Sequence, residues 1–437
     1  MTATQQQDRA HPWRRAIVWI ALLAPLFFLT YGWANQFAAG RPNVPSIVFD
    51  WERQIPFMAW TIVPYWSIDL LYGLSLLLCT SRAELTTQGL RLLTAQIISI
   101  GCFVALPLRF IFERPDTHGV FGMMFDVLLG FDKPFNQAPS LHIVLLIIIW
   151  VRLAAHSPVW LRWPLHAWMG LIGASVLTTY QHHFIDIPTG VAAGFLCLWL
   201  WPEHGRSPLT QVAFTIDSRR RGLALRYALG AAMATMVALL GGWALWLLWL
   251  SIALGLVALA YAFIGPTALQ KSSDGRLSLA VRWLAAPYLI GAWINLRWWT
   301  RHAPSPNQIT DGVWLGRFPT HATLRAAQFR AVVDLTAEMD APWSQQLRYY
   351  RSVPILDLAA PSEASLRQAA DAIEAARQHG PVLVCCALGY SRSAAALVAW
   401  LVRSGIEPDW DSALACIRRA RPAVVLSELH TRALARL

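Results

Sequence analysis

Apolar positions run almost unbroken through long stretches of the first 300 residues, then shorten and alternate with polar ones. A run of about 20 apolar residues is long enough to cross a bilayer as a helix. Six such spans are expected near 16–33, 57–79, 92–110, 140–151, 163–180 and 187–201. The fourth and sixth need flanking residues to reach that length. The uncharged stretch 227–270 would rise roughly 66 Å as one helix at ~1.5 Å per residue, about twice the ~30 Å hydrocarbon core. It is therefore expected to form two spans turned near Gly241 and Gly242, for a total of about eight. Residues 284–296 are apolar but short. They are flanked by Arg282 and Arg297, are rich in tryptophan, and contain Pro287 and Asn295. That pattern predicts a segment lying in the membrane interface.

Residues 302–307 read as a linker. Beyond it, 313–315, 331–335, 353–356 and 382–385 are expected as strands. Helices are expected at 365–378, 393–404 and 410–420. Strands alternating with helices predict a compact α/β domain. The expected fold is thus an α-helical polytopic membrane bundle over 1–210, two further spans and an interfacial segment over 211–300, and a C-terminal α/β domain over 301–437.

Composition supports this division. The chain is 56% hydrophobic and 14% charged, against about 25% charged in ordinary soluble domains. A disordered chain, a collagen and a simple soluble enzyme are excluded. Residues 1–300 hold 21 basic and 13 acidic side chains, and residues 301–437 hold 15 and 12. Most of the net charge of +11 therefore belongs to the membrane part, where basic loops beside spans explain it without a nucleic-acid partner. With the N-terminus inside, the inner segments collect most of the arginines. This predicts an integral protein of a bacterial inner (plasma) membrane with its C-terminal domain in the cytoplasm. The basic N-terminus is followed by an apolar run without a small-residue cleavage site, so the first span is expected to be retained. The six cysteines show no metal-ligand spacing, and no metal or cofactor is expected.

The strongest chemical signal is Val382-Leu-Val-Cys-Cys-Ala-Leu-Gly-Tyr-Ser-Arg-Ser393. A strand ends near Cys385 and a helix begins near Arg392, with Cys386, five residues and Arg392 between them. Such a loop can aim successive backbone N–H groups into an anion nest at a helix N-terminus. Cys386 in that field would be a thiolate nucleophile, and Arg392 a planar fork for two phosphate oxygens. The segment resembles the signature loop of cysteine-based protein tyrosine phosphatases of the dual-specificity branch, matching at Gly389, Ser391, Arg392 and Ser393. The likeness extends over about 311–428, through Asp311–Arg317, Val332–Glu338 and Ala413–Pro422. The resemblance implies that Cys386 becomes phosphocysteine, that Gly389, Ser391 and Arg392 bind the transferring group, and that Ser393 stabilises the departing thiolate. It implies a general acid about thirty residues upstream, and Asp357 stands 29 positions before Cys386. One departure is clear: Cys385 occupies the place of the usual histidine.

A second constellation lies in residues 109–190. Arg114 closes Arg109-Phe-Ile-Phe-Glu-Arg-Pro115, Pro139-Ser-Leu-His142 opens the fourth span, and Gln181-His-His-Phe-Ile-Asp186 joins the fifth to the sixth. All three meet at the outer face of the expected topology. His182 and Asp186 are spaced i, i+4, so the carboxylate can fix the imidazole tautomer and leave the other nitrogen to attack phosphorus. His142 could protonate the leaving alkoxide. Arg114 and the Ser140 region could bind the equatorial oxygens. The set resembles the type 2 phosphatidic acid phosphatase superfamily, whose fold implies that the six first spans form a lipid phosphatase-like core. Pro-Ser-Leu-His is complete here, but Pro107 and Val176 stand where the family has a lysine and an arginine. The reduced pattern resembles the sphingolipid phosphotransferase branch.

Together these readings lead to the expectation of a bifunctional membrane enzyme acting on phospholipids or other lipid phosphates at the bilayer. A histidine centre would hydrolyse or transfer in the membrane, and a cysteine phosphomonoesterase would follow it. The alternative is a membrane-anchored phosphoprotein phosphatase whose membrane domain is regulatory or inactive.

Overall fold

The computed structural model describes residues 11–130 and 132–437. The chain divides into two compact units, Met1–Leu209 and Thr210–Leu437. The boundary places the segment after residue 210 in the same unit as the α/β domain.

The first unit is helical: α1 Trp13–Ala39, α2 Ile62–Leu77, α3 Arg82–Ala105, α4 Gly119–Leu129, α5 Leu141–His156, α6 Val159–Thr178 and α7 Asp186–Leu200. Two of these, α1 and α3, are long and apolar enough to cross a membrane. The other expected spans are helical but shorter or less apolar, so length and composition do not carry the count of eight. Helix α4 falls between the third and fourth expected spans. Apart from Asp126 its eleven residues are uncharged, but they are too few for a span.

Caps explain several helix starts. Ser81 accepts from Glu84 N at α3, and Ser140 accepts from Ile143 N at α5, each satisfying an orphan N–H. Gly190 and Gly194 let α7 approach α5 closely, since a Cβ at either would stand 2.7–2.8 Å from Ile143 or Ile147. At one end of this unit Arg152 is ion-paired to Glu84 and Glu203, and Arg91 to Glu203. Such buried arginines need these partners, because an uncompensated charge there is strongly destabilising.

The second unit begins with α8 Ser218–Ala238. The turn falls at Gly241 and Gly242, both with positive φ (+78° and +56°), a region only glycine enters freely. The helical stretch Gly242–Ile264, which includes α9 Leu247–Leu259, is the third segment able to cross a membrane. Two helices follow, α10 Leu279–Leu284 and α11 Ala286–Trp299. At 14 residues, α11 rises only about 21 Å, short of the hydrocarbon core.

The α/β part holds a five-stranded sheet of order β1-β2-β5-β3-β4: β1 Asn307–Thr310, β2 Val313–Arg317, β3 Ala331–Thr336, β4 Tyr349–Ile355 and β5 Val382–Cys386. Only β1 is antiparallel. β1 begins at Asn307, where the linker was expected to end, and β4 begins four residues before its expected start. Both edge strands are half-buried and lack the continuous apolar run that marks β3 and β5. Helices α12 His321–Ala326, α13 Glu363–Arg377, α14 Arg392–Arg403, α15 Trp410–Ala420 and α16 Glu428–Leu434 complete the domain.

β5 is central and fully buried, so its side chains alternate between two cores. Val382, Val384 and Cys386 join the core of Leu397, Trp400 and Ile373. Leu383 and Cys385 join that of Trp343, Phe329 and Val332. The two adjacent cysteines thus point to opposite faces of the sheet, and both are free.

Candidate active site

β5 runs out at Cys386 and α14 begins at Arg392, so the loop Ala387–Ser391 must turn between the sheet centre and a helix N-terminus. Gly389 makes the turn possible. Its φ is +73°, and a Cβ there would stand 2.5 Å from the backbone C and O of Gly316. The loop is pinned from outside by Phe318 N, which donates to Ala387 O at 3.1 Å. Arg421 donates through Nε to Gly389 O at 3.0 Å and through Nη1 to Asn307 Oδ1 at 2.7 Å. Arg421 is buried and clamps the loop to β1. It lies in the quoted stretch Ala413–Pro422, but no role was expected for it.

Cys386 Sγ sits at the centre, 2% exposed. Gly389 N–H donates to it at 3.3 Å and Ser393 Oγ at 3.2 Å. Both donors converge on the sulfur, one from the loop backbone and one from the first turn of α14. Arg392 is buried. Its Nη1 donates to Glu338 Oε2 (2.9 Å) and Ile355 O (2.8 Å), and its Nη2 pairs with Glu338 Oε1 (2.6 Å) and Asp357 Oδ1 (3.0 Å). Burial opposes the guanidinium charge, but Glu338 and then Asp357 outweigh it and raise its pKa further. Arg392 Nε is buried without a protein partner, a donor left to a substrate oxygen. Ser391 stands at the N-cap position of α14.

Glu338 is the functional residue the sequence reading missed. It was quoted in the stretch Val332–Glu338 without a role. A buried acid two residues past a strand gave no pairing signal until Arg392 met it across the fold. Burial resists its charge, yet Arg392 holds its pKa below the ordinary 4.5. Asp357 lies just after β4, with its carboxylate on Arg392 Nη2.

Cys385 is silent chemically. Burial first, then Asp334 and Cys386, push its thiol well above 9.0. Behind it Lys271 Nζ bonds Asp334 Oδ2 at 2.6 Å and Thr336 O at 2.9 Å, and Tyr350 OH bonds the same carboxylate at 2.7 Å. Lys271 comes from the segment ahead of the α/β domain, so part of the support under the loop is supplied from outside that domain.

Residues 313–437 match the family model "Dual specificity phosphatase, catalytic domain". A signature loop that holds a thiol under convergent donors, with an arginine aimed across it, defines a cysteine-based phosphoric monoester hydrolase. The match places a dual specificity phosphatase catalytic domain at residues 313–437. Among solved structures, Tk-PTP in its active form is 31% identical over 31% of this chain and 97% of that one, with a TM-score of 0.29. Human DUSP28 is 26% identical over 30% of this chain and 92% of its own, with a TM-score of 0.28. The comparison with curated proteins gives no match.

The first unit brings its own set together. His182 Nδ1 lies 3.1 Å from Asp186 Oδ2, which also accepts from His183 N at 3.0 Å. His142 stacks on Tyr65 with centroids 4.2 Å apart, and its Nε2 is buried without a partner. His142 and His182 lie within electrostatic reach of one another. Arg114 donates from Nε to Thr179 O at 3.3 Å and lies within electrostatic reach of Tyr65 and Asp132. The Ser140 hydroxyl caps α5, and its backbone N–H donates to Asp186 O at 3.2 Å, so it fixes the motif in place. The neighbouring His183 bonds Glu52 Oε2 through Nδ1 at 3.0 Å and accepts from Ile111 N through Nε2 at 3.2 Å. Both its ring nitrogens are thus occupied, whereas Asp186 meets the ring of His182. The acid Asp132, bonded by Tyr31 OH at 2.9 Å, joins the set unforeseen. Among the described residues no group of His, Cys, Asp or Glu is placed to hold a metal ion.

Proposed function

We propose that this protein is a bifunctional membrane phosphatase acting on phosphorylated lipids. At the second unit's centre, the Cys386 thiolate attacks phosphorus and the bond to the leaving oxygen breaks. Asp357 gives its proton to that oxygen. Arg392 and the loop N–H groups bind the three equatorial oxygens, whose charge grows in the transition state. Water then attacks the phosphocysteine, Asp357 takes its proton, and Ser393 stabilises the departing sulfur.

In the first unit, Asp186 orients His182 through Nδ1, leaving Nε2 as nucleophile. His142 protonates the alkoxide leaving group and then activates water or an acceptor hydroxyl. Release to water gives hydrolysis, and release to an alcohol gives head-group transfer. Arg114 serves the phosphoryl oxygens. Asp132 beside it disfavours a second anion, in keeping with a site that takes a phosphate flanked by a neutral or cationic head group. A tethered pair of centres in one chain raises the local concentration of each for substrates at a bilayer. The inner-membrane placement with a cytoplasmic phosphatase domain, and the full set of eight spans, belong to this reading.

The observation that carries it is the pairing of His182 with Asp186 beside His142, from elements far apart in sequence, in a chain that also holds the cysteine loop. The test is covalent trapping. Full-length protein in detergent is mixed with ³²P-labelled lipid phosphate, quenched in alkali and mapped by mass spectrometry. Labels on both Cys386 and His182 are expected. A label on Cys386 alone reduces the protein to a membrane-anchored phosphatase, the reading in which phosphoproteins are substrates. A label on neither, in folded protein, sinks the proposal.

A further inference from the structure

The Cys386 centre is not bounded by the catalytic domain alone. Helix α11 carries Tyr288, Ala292 and Leu296 at successive i, i+4 positions, one stripe of its surface. Leu296 is buried with Met339 and Ala387, and Ala292 and Leu388 pack against them. Ala387 and Leu388 belong to the signature loop itself. Further along, Tyr390 OH donates to Trp299 O at 3.3 Å, and Arg317 Nη1 to Thr300 Oγ1 at 2.6 Å. The helix is thus fastened along the loop, and its stripe puts Tyr288 at the next position out from Ala292.

Two more tyrosines arrive from the helical hairpin. Tyr261 OH donates to the backbone oxygen of Asp357 at 2.6 Å, holding the segment that carries the acid. Tyr227 stacks on Tyr261 with centroids 5.6 Å apart and planes 13° from parallel, and Tyr288 meets Tyr227 edge-on at 6.0 Å. All three lie within electrostatic reach of Glu338 and Asp357, and Tyr261 also of Arg392. Tyr227 and Tyr288 are half-buried, so each keeps surface to offer. Beside them Ser218, Arg219, Gly222, Leu223, Arg226 and Leu358 line a pocket of about 440 Å³. None of these residues except Leu358 lies in the matched region 313–437.

We propose that Tyr227, Tyr261 and Tyr288 are specificity-determining residues of the Cys386 centre. Their rings wall the side where the organic part of the substrate must lie, and select a phosphomonoester carried on a lipid head group over a small aryl phosphate. The proposal rests on the phosphatase reading above. Its physical basis is that ring faces and phenol hydroxyls suit a head group that is hydroxylated at one end and apolar at the other. Tyr261 lies in the stretch Gly242–Ile264, which is long and apolar enough to cross a membrane. Arg219 and Arg226 add positive charge, which suits a phosphodiester next to the cleaved monoester.

The test uses the full chain in dodecylmaltoside, assayed on three probes: a phosphatidylinositol monophosphate in mixed micelles, its deacylated water-soluble head group, and p-nitrophenyl phosphate. Cys386→Ser protein supplies the background. Tyr227→Ala and Tyr288→Ala are expected to lower kcat/KM for the lipid about ten-fold each, mainly through KM, and to leave p-nitrophenyl phosphate within about two-fold. Tyr261→Phe keeps the ring while freeing the Asp357 backbone oxygen, and is expected to lower kcat on all three. At Tyr227 or Tyr288, loss of the same size on lipid and p-nitrophenyl phosphate, or no loss on either, overturns the proposal. So does a wild-type preference for the deacylated head group over the lipid. If p-nitrophenyl phosphate shows no Cys386-dependent turnover at all, the phosphatase reading itself has failed. Retained turnover that ignores the tyrosines condemns this inference alone.

Discussion

The two centres differ in how their parts are supplied. Around Cys386, nucleophile, nest, thiolate partner and arginine occupy eight consecutive positions, bent into place by one strand end and one helix start. Around His182, only the histidine and its carboxylate are local. His142 comes from the start of α5, Arg114 from the loop before α4, Asp132 from the loop between α4 and α5, and Tyr31 from α1. A contiguous loop is legible as a motif and tolerates change in the surrounding domain. A dispersed set depends on the packing of every helix that contributes to it, so the chemistry proposed for it rests on tertiary contacts such as the close approach of α5 and α7 at Gly190.

The sharpest way to test this contrast is a pair of single changes read on both activities. Cys386→Ser is expected to remove phosphomonoesterase turnover at the second unit by about 10³-fold or more, since the nucleophile itself is lost. His182→Ala should leave that turnover unchanged while abolishing lipid phosphate conversion in the first unit. Loss of both activities from either single change would mean that the two sites are one functional system.

Gly389→Ala comes next. Forcing a side chain into positive φ costs about 1–2 kcal/mol, and its Cβ would also press on Gly316. Since about 1.4 kcal/mol corresponds to ten-fold, kcat/KM on p-nitrophenyl phosphate should fall ten-fold or more while the melting temperature drops by only a few degrees. Unchanged turnover would show that the loop can form its nest without this turn.

The smallest effect is expected from Glu338→Gln. Arg392 keeps Ile355 O and Asp357, so turnover at neutral pH should fall about ten-fold through misorientation of the fork. The acid limb of stability gives the cleaner signature. Arg392 holds the folded-state pKa of Glu338 below its ordinary 4.5. The stabilisation is therefore fully present above about 4.5 and is lost as pH falls through the lower folded value. Denaturation curves between pH 5 and 3 should be steeper in the wild type than in the variant. Parallel curves would show that the pair contributes nothing to folding.

What could be read in advance follows the range of the interactions involved. Hydrophobic run lengths marked the helical region, and turn chemistry marked Gly241 and Gly242. The unbroken apolar runs of β3 and β5 marked the central strands, whereas the half-buried β1 and β4 blurred at their edges. Cys386, Gly389, Arg392 and Ser393 were legible because a strand-loop-helix turn fixes their relations within a dozen residues. Glu338, Arg421 and Lys271 were not, because each matters only through a partner more than thirty positions away.

The sequence by itself determined where the chain is apolar, where it turns, and which eight residues form the cysteine loop, since these follow from local periodicity and backbone sterics. Tertiary structure alone decided that Glu338 holds Arg392, that Lys271 braces the strand behind Cys385, that His183 is held by Glu52 and Ile111 N, and that Tyr261 holds the backbone oxygen of Asp357. Burial is the reason. A charged or hydrogen-bonding group removed from water must find its partner wherever folding brings one, and chain order does not say where that is.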